Sequence, residues 1–427
     1  MKEFKYIIIG NSAAGIAAAE AIRNKDQKGS VAIFSDEPYA AYGRPLISEY
    51  LSSRCSMSRM LYRPSDFYQK IQVQIFLNQA VSAIDLSAKT VSTNQGEVFS
   101  YEKLLIATGG KPIMPPIKGL QQKGVYTFTK LDDAITLDAL INNNQKAVII
   151  GGGLIGLSLA EALVKRNVDV TVVEMKDRVL NTILDTQAAA IVKERINQYG
   201  IKVMVNSTVT EVTEDPIRMG VAGGVIVDNK INIKADLVCA AIGVAPRLDI
   251  AKAAGIKCNR GILVDRQMKT SQADVYAAGD VVEAYDYINQ NDSVIPVWPN
   301  AYWQGRIAGL NMAGFPADYE GGTVLNALKY FKLAITTAGL VTPPDQSYEV
   351  IQSQTAEILH RLILKDGKIV GFSFVGEVER SGMVYQLMKR RVDVSNFKEK
   401  LVAPNLELLS LPDQIWQRAL DRTLAKK

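Results

Sequence analysis

The sequence predicts an α/β protein with two Rossmann-like nucleotide-binding units and a small α+β carboxyl-terminal domain. The main observation is a repeat: residues 5–22 and 146–163 each read as an apolar strand, a glycine-rich turn and an Ala/Leu-rich helix. A second apolar strand follows each copy, at residues 31–34 and 170–173. Strands that alternate with helices are typical of parallel βαβ units. The last hundred residues differ, with strand-like stretches near 323–340, 347–354 and 358–375 and a helix near 377–391.

Length and composition limit the classes of protein that fit. A chain of 427 residues is long enough for two or three domains. The net charge of +5 is modest, and no basic run exceeds residues 389–391, so nucleic-acid binding is not expected. The apolar run at the start is too short for a signal peptide, and no stretch is long enough for a membrane span. We therefore expect a cytoplasmic protein.

Cysteine and histidine content argues against a metal site. Cys55, Cys239 and Cys258 are not spaced as a redox pair or a metal cage. Cys239 falls in an apolar run and is expected in the core. The single histidine, His360, lies in an alternating stretch and is expected to be structural or exposed. One histidine excludes a zinc site or a histidine-based triad, so no metal is predicted.

The second glycine-rich turn has the GxGxxG pattern. Gly151 permits the tight turn, Gly153 lets the backbone approach a pyrophosphate, and Gly156 lets the helix pack on the strand. The amino terminus of the following helix offers free N–H groups and a partial positive charge to phosphate.

The residue that ends the next strand indicates which nucleotide this turn prefers. Glu174 can accept hydrogen bonds from both ribose hydroxyls and would repel a 2′-phosphate. This favours NADH over NADPH. Lys176 and Arg178 follow closely and weaken the preference.

The first turn departs from the pattern because serine replaces the second glycine. Serine is small enough for a close phosphate approach and adds a hydroxyl donor. Its residues are Gly10, Asn11, Ser12, Ala13, Ala14 and Gly15. After the following strand, either Asp36 or Glu37 could hold a ribose, and the sequence does not decide between them.

Two further motifs carry a family resemblance. Residues 104–109 read LLIATG, and residues 274–280 read DVYAAGD. Together with the two turns, this set resembles the pyridine nucleotide–disulfide oxidoreductase superfamily, the two-dinucleotide-binding flavoproteins, over nearly the whole chain. The resemblance implies FAD at the first turn, NADH at the second, and a hydrogen bond from the flavin ribitol to Asp280.

The resemblance also implies the domains and binding residues. We expect a discontinuous FAD-binding domain at 1–110 and 240–320, an NADH-binding domain at 111–239 and the α+β domain at 321–427. The implied FAD residues are Gly10, Ser12, Ala13, Ala14, Gly15, Asp36, Glu37, Arg44, Pro45, Val81, Ala107, Thr108, Gly109, Gly279, Asp280, Val297 and Trp298. The implied NADH residues are Gly151, Gly153, Leu154, Ile155, Gly156, Glu174, Ala241, Ile242 and Gly243.

Residues 42–48 and 298–314 are most similar to the NADH reductases of rubredoxin and ferredoxin and to the amino-terminal half of NADH nitrite reductases. In those relatives the Trp298 region covers a flavin edge, although a buried core aromatic is the alternative. A helix beginning near Asn300 would point its amino terminus at the pyrimidine end of the flavin and stabilise negative charge there.

The chain lacks two features of its relatives. Where other members carry a redox cysteine, it has residues 44–47, Arg-Pro-Leu-Ile, and Cys55 comes too late to take that role. Many relatives also place a lysine and a glutamate beside flavin N5, where this chain has Glu49 and Ser158. Because both charges are absent together, neither is left buried without a partner of opposite charge. Thiol chemistry is therefore not expected, and no catalytic side chain is predicted.

The implied reaction is hydride transfer from NADH to FAD, followed by electron transfer to an acceptor. A rubredoxin- or ferredoxin-type protein is the first choice, because Arg44, Arg54, Arg59 and Arg63 could steer an acidic iron–sulfur carrier. A solvated face explains these arginines equally well, and Arg44 could contact the FAD pyrophosphate instead. The alternatives are an NADH oxidase using oxygen or peroxide, a slow redox-sensing flavoprotein, or a nitrite reductase-like component. A homodimer is left open.

Overall fold

The structure is a computed structural model that describes residues 1–404, and it separates into two compact units. The first contains Met1–Asp177 and Tyr199–Val324. The second contains Arg178–Gln198 and the described residues from Leu325 onward. Residues 405–427 of the predicted carboxyl-terminal domain lie outside the described part. The predicted domain boundaries stay predictions.

The first unit contains a mainly parallel sheet formed by the amino-terminal repeat. Residues 6–9 of its first strand and all of Val31–Phe34 are buried, as expected where both faces of a parallel sheet are covered. Val275–Ala277 pairs in parallel with the carboxyl-terminal half of Val98–Ile106. In spatial order the other strands are Gln74–Phe76, Val31–Phe34, Lys2–Ile9, Val98–Ile106, Thr90–Thr93 and Val81–Asp85.

A second parallel sheet in the same unit repeats this arrangement. In spatial order its strands are Lys202–Met204, Asp169–Val173, Lys146–Ile150, Leu237–Ala240 and Val125–Tyr126. In both sheets the strand before the glycine-rich turn lies in the centre, and the strand after the helix lies next to it. This is the order of a Rossmann-type unit, so the predicted fold class is confirmed.

Short strands complete the first unit, and they pair antiparallel except for Ile262–Leu263, which pairs in parallel with Val282–Asp286. Gly110–Pro112 and Val244–Pro246 pair with each other where the chain crosses between the two parallel sheets. The other strands form two three-stranded sheets: Val209–Glu214, Ala222–Val227 and Ile231–Lys234 in one, and Ile262–Leu263, Val282–Asp286 and Asn291–Ser293 in the other.

The helices are numbered in chain order, with a 3-10 turn at Arg44–Leu46. No helix within residues 1–404 is long and apolar enough to cross a membrane. The helices are α1 (Ala13–Lys25), α2 (Ile47–Leu51), α3 (Met57–Met60), α4 (Phe67–Lys70), α5 (Leu131–Leu140), α6 (Leu154–Val164), α7 (Thr186–Gln198), α8 (Asp249–Ala253), α9 (Trp298–Met312), α10 (Ser381–Lys389) and α11 (Lys398–Val402).

The second unit is built on an antiparallel five-stranded sheet. In spatial order its strands are Leu325–Tyr330, Leu333–Gly339, Lys368–Val375, Leu359–Lys365 and Glu349–Gln354. His360 is buried against Phe374, and its Nε2 lies 2.8 Å from the carbonyl oxygen of Glu377. Burial lowers the pKa of His360, so the ring is a structural part of this core.

Candidate active site

The predicted FAD residues gather at one edge of the first sheet. In the strand register Ile9 is level with Phe34 and with Ile106, and Ile106 is level with Ala277. Each of these residues ends a parallel strand. The first turn, the two candidate ribose acids, residues 107–109 and residues 279–280 therefore leave the sheet side by side at its carboxyl edge, where open α/β sheets bind ligands.

At two positions of the first turn other backbone atoms lie so close that only glycine fits. Gly10 has a φ of +124°, and a Cβ there would lie 2.1 Å from the carbonyl oxygen of Ala107. A Cβ on Gly15 would lie 1.9 Å from the carbonyl oxygen of Gly10. Ser12, at the amino terminus of α1, has an extended backbone, and its side chain caps no helix N–H group. Its hydroxyl is therefore available to a phosphate group.

The second turn has the same construction. A Cβ on Gly151 would lie 2.6 Å from the carbonyl oxygen of Ala241, and one on Gly156 would lie 2.0 Å from that of Gly151. A Cβ on Gly153 would meet no atom within 4 Å. The chain itself therefore leaves space beside Gly153 at the start of α6, as a backbone-bound pyrophosphate requires.

Backbone hydrogen bonds make the two turns directly comparable. Gly10 donates to Phe34 and Gly151 donates to Val173, so the next residues, Ser35 and Glu174, are equivalent. By the same comparison Ala107 and Ala241 are equivalent, because their carbonyl oxygens lie beside Gly10 and Gly151. The ATG segment of the first half thus corresponds to residues 241–243 of the second.

Glu174 lies where a ribose-binding acid is expected. It is buried, and its two carboxylate oxygens accept from the N–H groups of Gly152, at 2.7 Å, and of Lys176, at 2.8 Å. The carboxylate is therefore fixed beside the second glycine-rich turn. Lys176 is exposed and Arg178 donates to the carbonyl oxygen of Leu184.

Asp36 and Glu37 have different surroundings. Burial would raise the pKa of Asp36, but hydrogen bonds from Lys130 and Arg247, both at 2.8 Å, outweigh it and lower the pKa to about 2. Glu37 is 4% exposed, accepts a hydrogen bond of 2.6 Å from the hydroxyl of Tyr42, and pairs with Arg44. Both acids are thus engaged within the chain, and which of the two would hold a ribose stays a prediction.

Asp280 is available to a cofactor hydroxyl. Burial raises the pKa of its carboxyl group to about 6, although the charge of Arg44 opposes the shift. Within residues 1–404 no group donates a hydrogen bond to this carboxylate. The adjacent Gly279, with a φ of +89°, donates its N–H to Oε1 of the buried Gln304 at 2.9 Å. Gln304 therefore holds the loop that presents Asp280.

Helix α9 reaches the first turn through small residues. A Cβ on Gly305 would lie 2.1 Å from the carbonyl oxygen of Ala14, and one on Gly309 would lie 2.4 Å from that of Ala18. Helices α1 and α9 are therefore in backbone contact. Helix α9 begins at Trp298, two positions before Asn300, so the helix predicted to begin near Asn300 is confirmed.

Trp298 is partly exposed and packs edge-on against Tyr62, with the ring centroids 5.0 Å apart. Val297, directly before α9, has an extended backbone. Beside this pair, Arg63 lies over the ring of Tyr62 at 4.1 Å and forms a two-bond ion pair with Glu20. Arg63 is therefore already engaged within the chain.

Val81 begins its strand next to residues 78 and 79, which hydrogen-bond to the backbone at 35–37.

All three cysteines are free thiols, and their surroundings differ. Cys239 is fully buried in its strand, as predicted, and burial raises its pKa to about 12. Burial also raises the pKa of Cys258. The sulfur of Cys55 donates a long hydrogen bond of 3.5 Å to the carbonyl oxygen of Ser56. Within residues 1–404 no group of three His, Cys, Asp or Glu side chains could hold a metal ion.

Comparison with known proteins agrees with this geometry. Residues 4–305 match the family model of the pyridine nucleotide-disulphide oxidoreductases. The chain belongs to this family. It is accordingly an oxidoreductase with FAD as its cofactor and NADH as its co-substrate, and the residues at both turns fit these groups.

Several relatives align over most of the chain. It is 31% identical to the epsilon subunit of the NADH-dependent phenylglyoxylate dehydrogenase of Aromatoleum evansii, over 97% of this chain and 98% of the relative. It is 30% identical to the NADH-rubredoxin oxidoreductase of Clostridium acetobutylicum, over 88% and 92%. The crystal structure of NADH:rubredoxin oxidoreductase from that organism superposes with a TM-score of 0.75 at 27% identity, covering 93% and 97%.

Two relatives from Bacillus subtilis are much longer than this chain. The chain spans 52% of an assimilatory nitrate reductase electron transfer subunit and 48% of a nitrite reductase. It therefore corresponds to about half of each.

Sequence reasoning did not find four residues that shape the site. Tyr42 and Gln304 hold Glu37 and Gly279, and Lys130 and Arg247 hold Asp36. Only Gln304 had a signal in the sequence, since it directly precedes Gly305 on the helix face that meets α1. The contacts of Lys130 and Arg247 join Asp36 to residues 94 and 211 positions away and have no local pattern.

Proposed function

We propose that this protein oxidises NADH and passes the electrons, through FAD, to a small iron–sulfur protein of the rubredoxin or ferredoxin type. Bound FAD would supply the hydride acceptor, while the chain holds both nucleotides and limits access of water. The observation that carries the proposal is the absence of a cysteine from residues 42–48 together with the burial of Cys239. Without a thiol relay, the electrons leave by an external acceptor.

Two exposed cations support a protein acceptor. Arg54 and Arg59 have exposed side chains and, within residues 1–404, form no ion pair. Arg63, by contrast, is held by Glu20. Because small iron–sulfur carriers are typically acidic, Arg54 and Arg59 would steer their approach. Tyr62, which packs against the partly exposed Trp298, lies in the same stretch of the chain as these two arginines.

The test is an anaerobic and aerobic screen of NADH oxidation by the purified holoprotein. Rubredoxin, ferredoxin, oxygen, peroxide and a small disulfide would be compared as acceptors at equal concentration. We expect a protein acceptor to be reduced at least tenfold faster than oxygen. A rate with oxygen that exceeds the rates with both proteins would make the chain an NADH oxidase. Slow turnover with every acceptor and a long-lived reduced state in air would make it a redox sensor.

The similarity to the epsilon subunit from Aromatoleum evansii supports a second candidate function. That relative and this chain align over nearly their full lengths, so the chain could serve as the NADH-linked subunit of a larger oxidoreductase. Native mass spectrometry of an untagged complex, purified through a tagged copy of this chain, would test it. Stoichiometric further subunits would support this candidate, and the chain alone or as a homodimer would support the first.

A cytoplasmic location and a homodimer are also proposed. Fractionation of cells and sedimentation of the holoprotein would test them separately. Activity confined to a membrane or extracellular fraction would contradict the location, and a sedimentation coefficient of a monomer at micromolar concentration would contradict the dimer.

A further inference from the structure

The segment that follows the second strand, residues 36–44, contacts the start of helix α5. Lys130 donates to Asp36 at 2.8 Å, and Tyr39 donates to Asp132 at 2.6 Å. These two bonds are exposed. Residues 36–44 belong to the half that contains the first glycine-rich turn, and α5 belongs to the half that contains the second. The contacts therefore join the two halves beside the paired crossover strands.

The buried part of this contact is a directed chain of hydrogen bonds. The N–H of Leu131, the first residue of α5, donates to the hydroxyl of Tyr42 at 3.0 Å. The same hydroxyl donates to Oε2 of Glu37 at 2.6 Å. All three residues are less than a tenth exposed. We call this set, Leu131 N–H, Tyr42 hydroxyl and Glu37 carboxylate, the Tyr42 relay.

Each member of the Tyr42 relay depends on the next. The first N–H of a helix has no partner within the helix, so without Tyr42 the Leu131 N–H would be buried and unsatisfied. Burial raises the pKa of Tyr42, and the charge of Glu37 adds to the shift against the opposing charge of Arg44. The hydroxyl therefore stays protonated at neutral pH and donates to Glu37. Arg44 completes the contact by pairing with Glu37 and donating to the carbonyl oxygen of Thr129 at 3.2 Å.

We propose that Tyr42 is a positioning residue for hydride transfer. By joining the start of α5 to the Glu37 carboxylate, it sets the distance between the two nucleotide sites. Hydride transfer needs the reacting atoms about 3–3.5 Å apart, and a displacement of about 1 Å can cost on the order of a hundredfold in rate. Helix α2 also contacts α5 and α6, and exposed or partly buried hydrogen bonds join the same halves. The Tyr42 relay adds a directed contact that is buried.

The proposal rests on NADH as the hydride donor and does not depend on the acceptor. The test is therefore anaerobic stopped-flow reduction of the holoprotein by NADH, with wild type, Tyr42→Phe and two control variants. Tyr42→Phe keeps the ring and removes only the hydroxyl. Tyr101→Phe removes another buried hydroxyl, which has no hydrogen-bond partner within residues 1–404. Tyr39→Phe removes an exposed bond between the same two segments.

For Tyr42→Phe we expect the limiting rate of flavin reduction to fall about tenfold to a hundredfold. The apparent Kd for NADH should change less than about twofold and the FAD content should stay the same. A purely structural role would not separate rate from affinity in this way. Tyr101→Phe should match wild type, and Tyr39→Phe should lose less than Tyr42→Phe.

Three results would overturn the proposal. An unchanged limiting rate in Tyr42→Phe would show that the relay does not set the distance. Loss of FAD, or a weaker affinity for NADH at an unchanged limiting rate, would show that Tyr42 acts on binding alone. An equal loss in Tyr101→Phe would show a general effect of removing buried hydroxyls. If wild type itself is not reduced by NADH, it is the proposed function that fails.

Discussion

Asp280 allows a test in which the apoprotein and the holoprotein should respond in opposite ways. Its carboxylate accepts no hydrogen bond within residues 1–404, and burial raises its pKa from 3.8 to about 6. In the apoprotein an ionised Asp280 is therefore unfavourable. In the holoprotein the same carboxylate would accept from the flavin ribitol. We expect Asp280→Asn to stabilise the apoprotein and to weaken retention of FAD.

The size and sign follow from the pKa. A group whose folded pKa lies above its unfolded value loses folding stability as the pH rises through this interval, because the folded state binds more protons. A shift of about two pKa units corresponds to about 2–3 kcal/mol at about 1.4 kcal/mol per unit. The gain in the free energy of unfolding of Asp280→Asn should be complete above about pH 6, should shrink as the pH falls, and should vanish only below the unfolded-state pKa of 3.8, where the wild-type carboxyl is neutral in both states.

The assay is urea unfolding of the two apoproteins at pH 8 and at pH 4.5, with FAD affinity measured at pH 8. Asp249→Asn serves as a control, since Asp249 is exposed and its pKa is lowered by Lys111. It should give no gain at pH 8. The reasoning is refuted if apo Asp280→Asn is no more stable than wild type at pH 8, or if its gain does not depend on pH. Unchanged FAD affinity would separately reject the ribitol contact.

Three further outcomes are expected. Wild type should prefer NADH over NADPH several-fold to a hundredfold, about 1–3 kcal/mol, and Glu174→Gln should raise kcat/KM for NADPH; equal efficiency of wild type with both nucleotides would reject this role. Cys55→Ser should leave NADH–ferricyanide turnover largely intact, and a loss of turnover with FAD still bound would point to thiol chemistry. Replacing Arg54 and Arg59 by glutamine should slow an acidic protein acceptor several-fold, more at low salt than at high salt, and spare a neutral quinone; an unchanged rate would leave the two arginines as a solvated face.

The sequence was sufficient to predict the fold because the information is local and repeated. Each glycine-rich turn is followed by a helix and a second apolar strand, and the structure places these elements as predicted. Gly10 and Gly151 show why the pattern is reliable: at each position a Cβ atom would clash with a backbone carbonyl oxygen. A pattern fixed by sterics at consecutive positions can be identified from one chain.

The electrostatics of the site could not be predicted in the same way. The four arginines look equivalent in the sequence, but Arg44 and Arg63 are held by Glu37 and Glu20. These partners are 7 and 43 positions away. Whether a charge is free to meet a partner protein depends on tertiary contacts, so the sequence alone does not show which of the four arginines are already paired within the chain. Arg54 and Arg59 remain as candidates.

The two repeats use their acids differently, and this explains why the sequence could not choose between Asp36 and Glu37. In the second repeat the acid directly follows the strand, and Glu174 accepts from the adjacent turn. The equivalent position in the first repeat is Ser35, whose hydroxyl accepts from the N–H of Glu37 at 3.2 Å. The acids of the first repeat are thereby shifted by one and two residues. From there Asp36 accepts from Lys130, directly before α5, and from Arg247, while Glu37 accepts from Tyr42, whose hydroxyl accepts from the first N–H of α5. The acids of the first repeat therefore take part in contacts between the two halves, whereas Glu174 accepts from N–H groups of its own half.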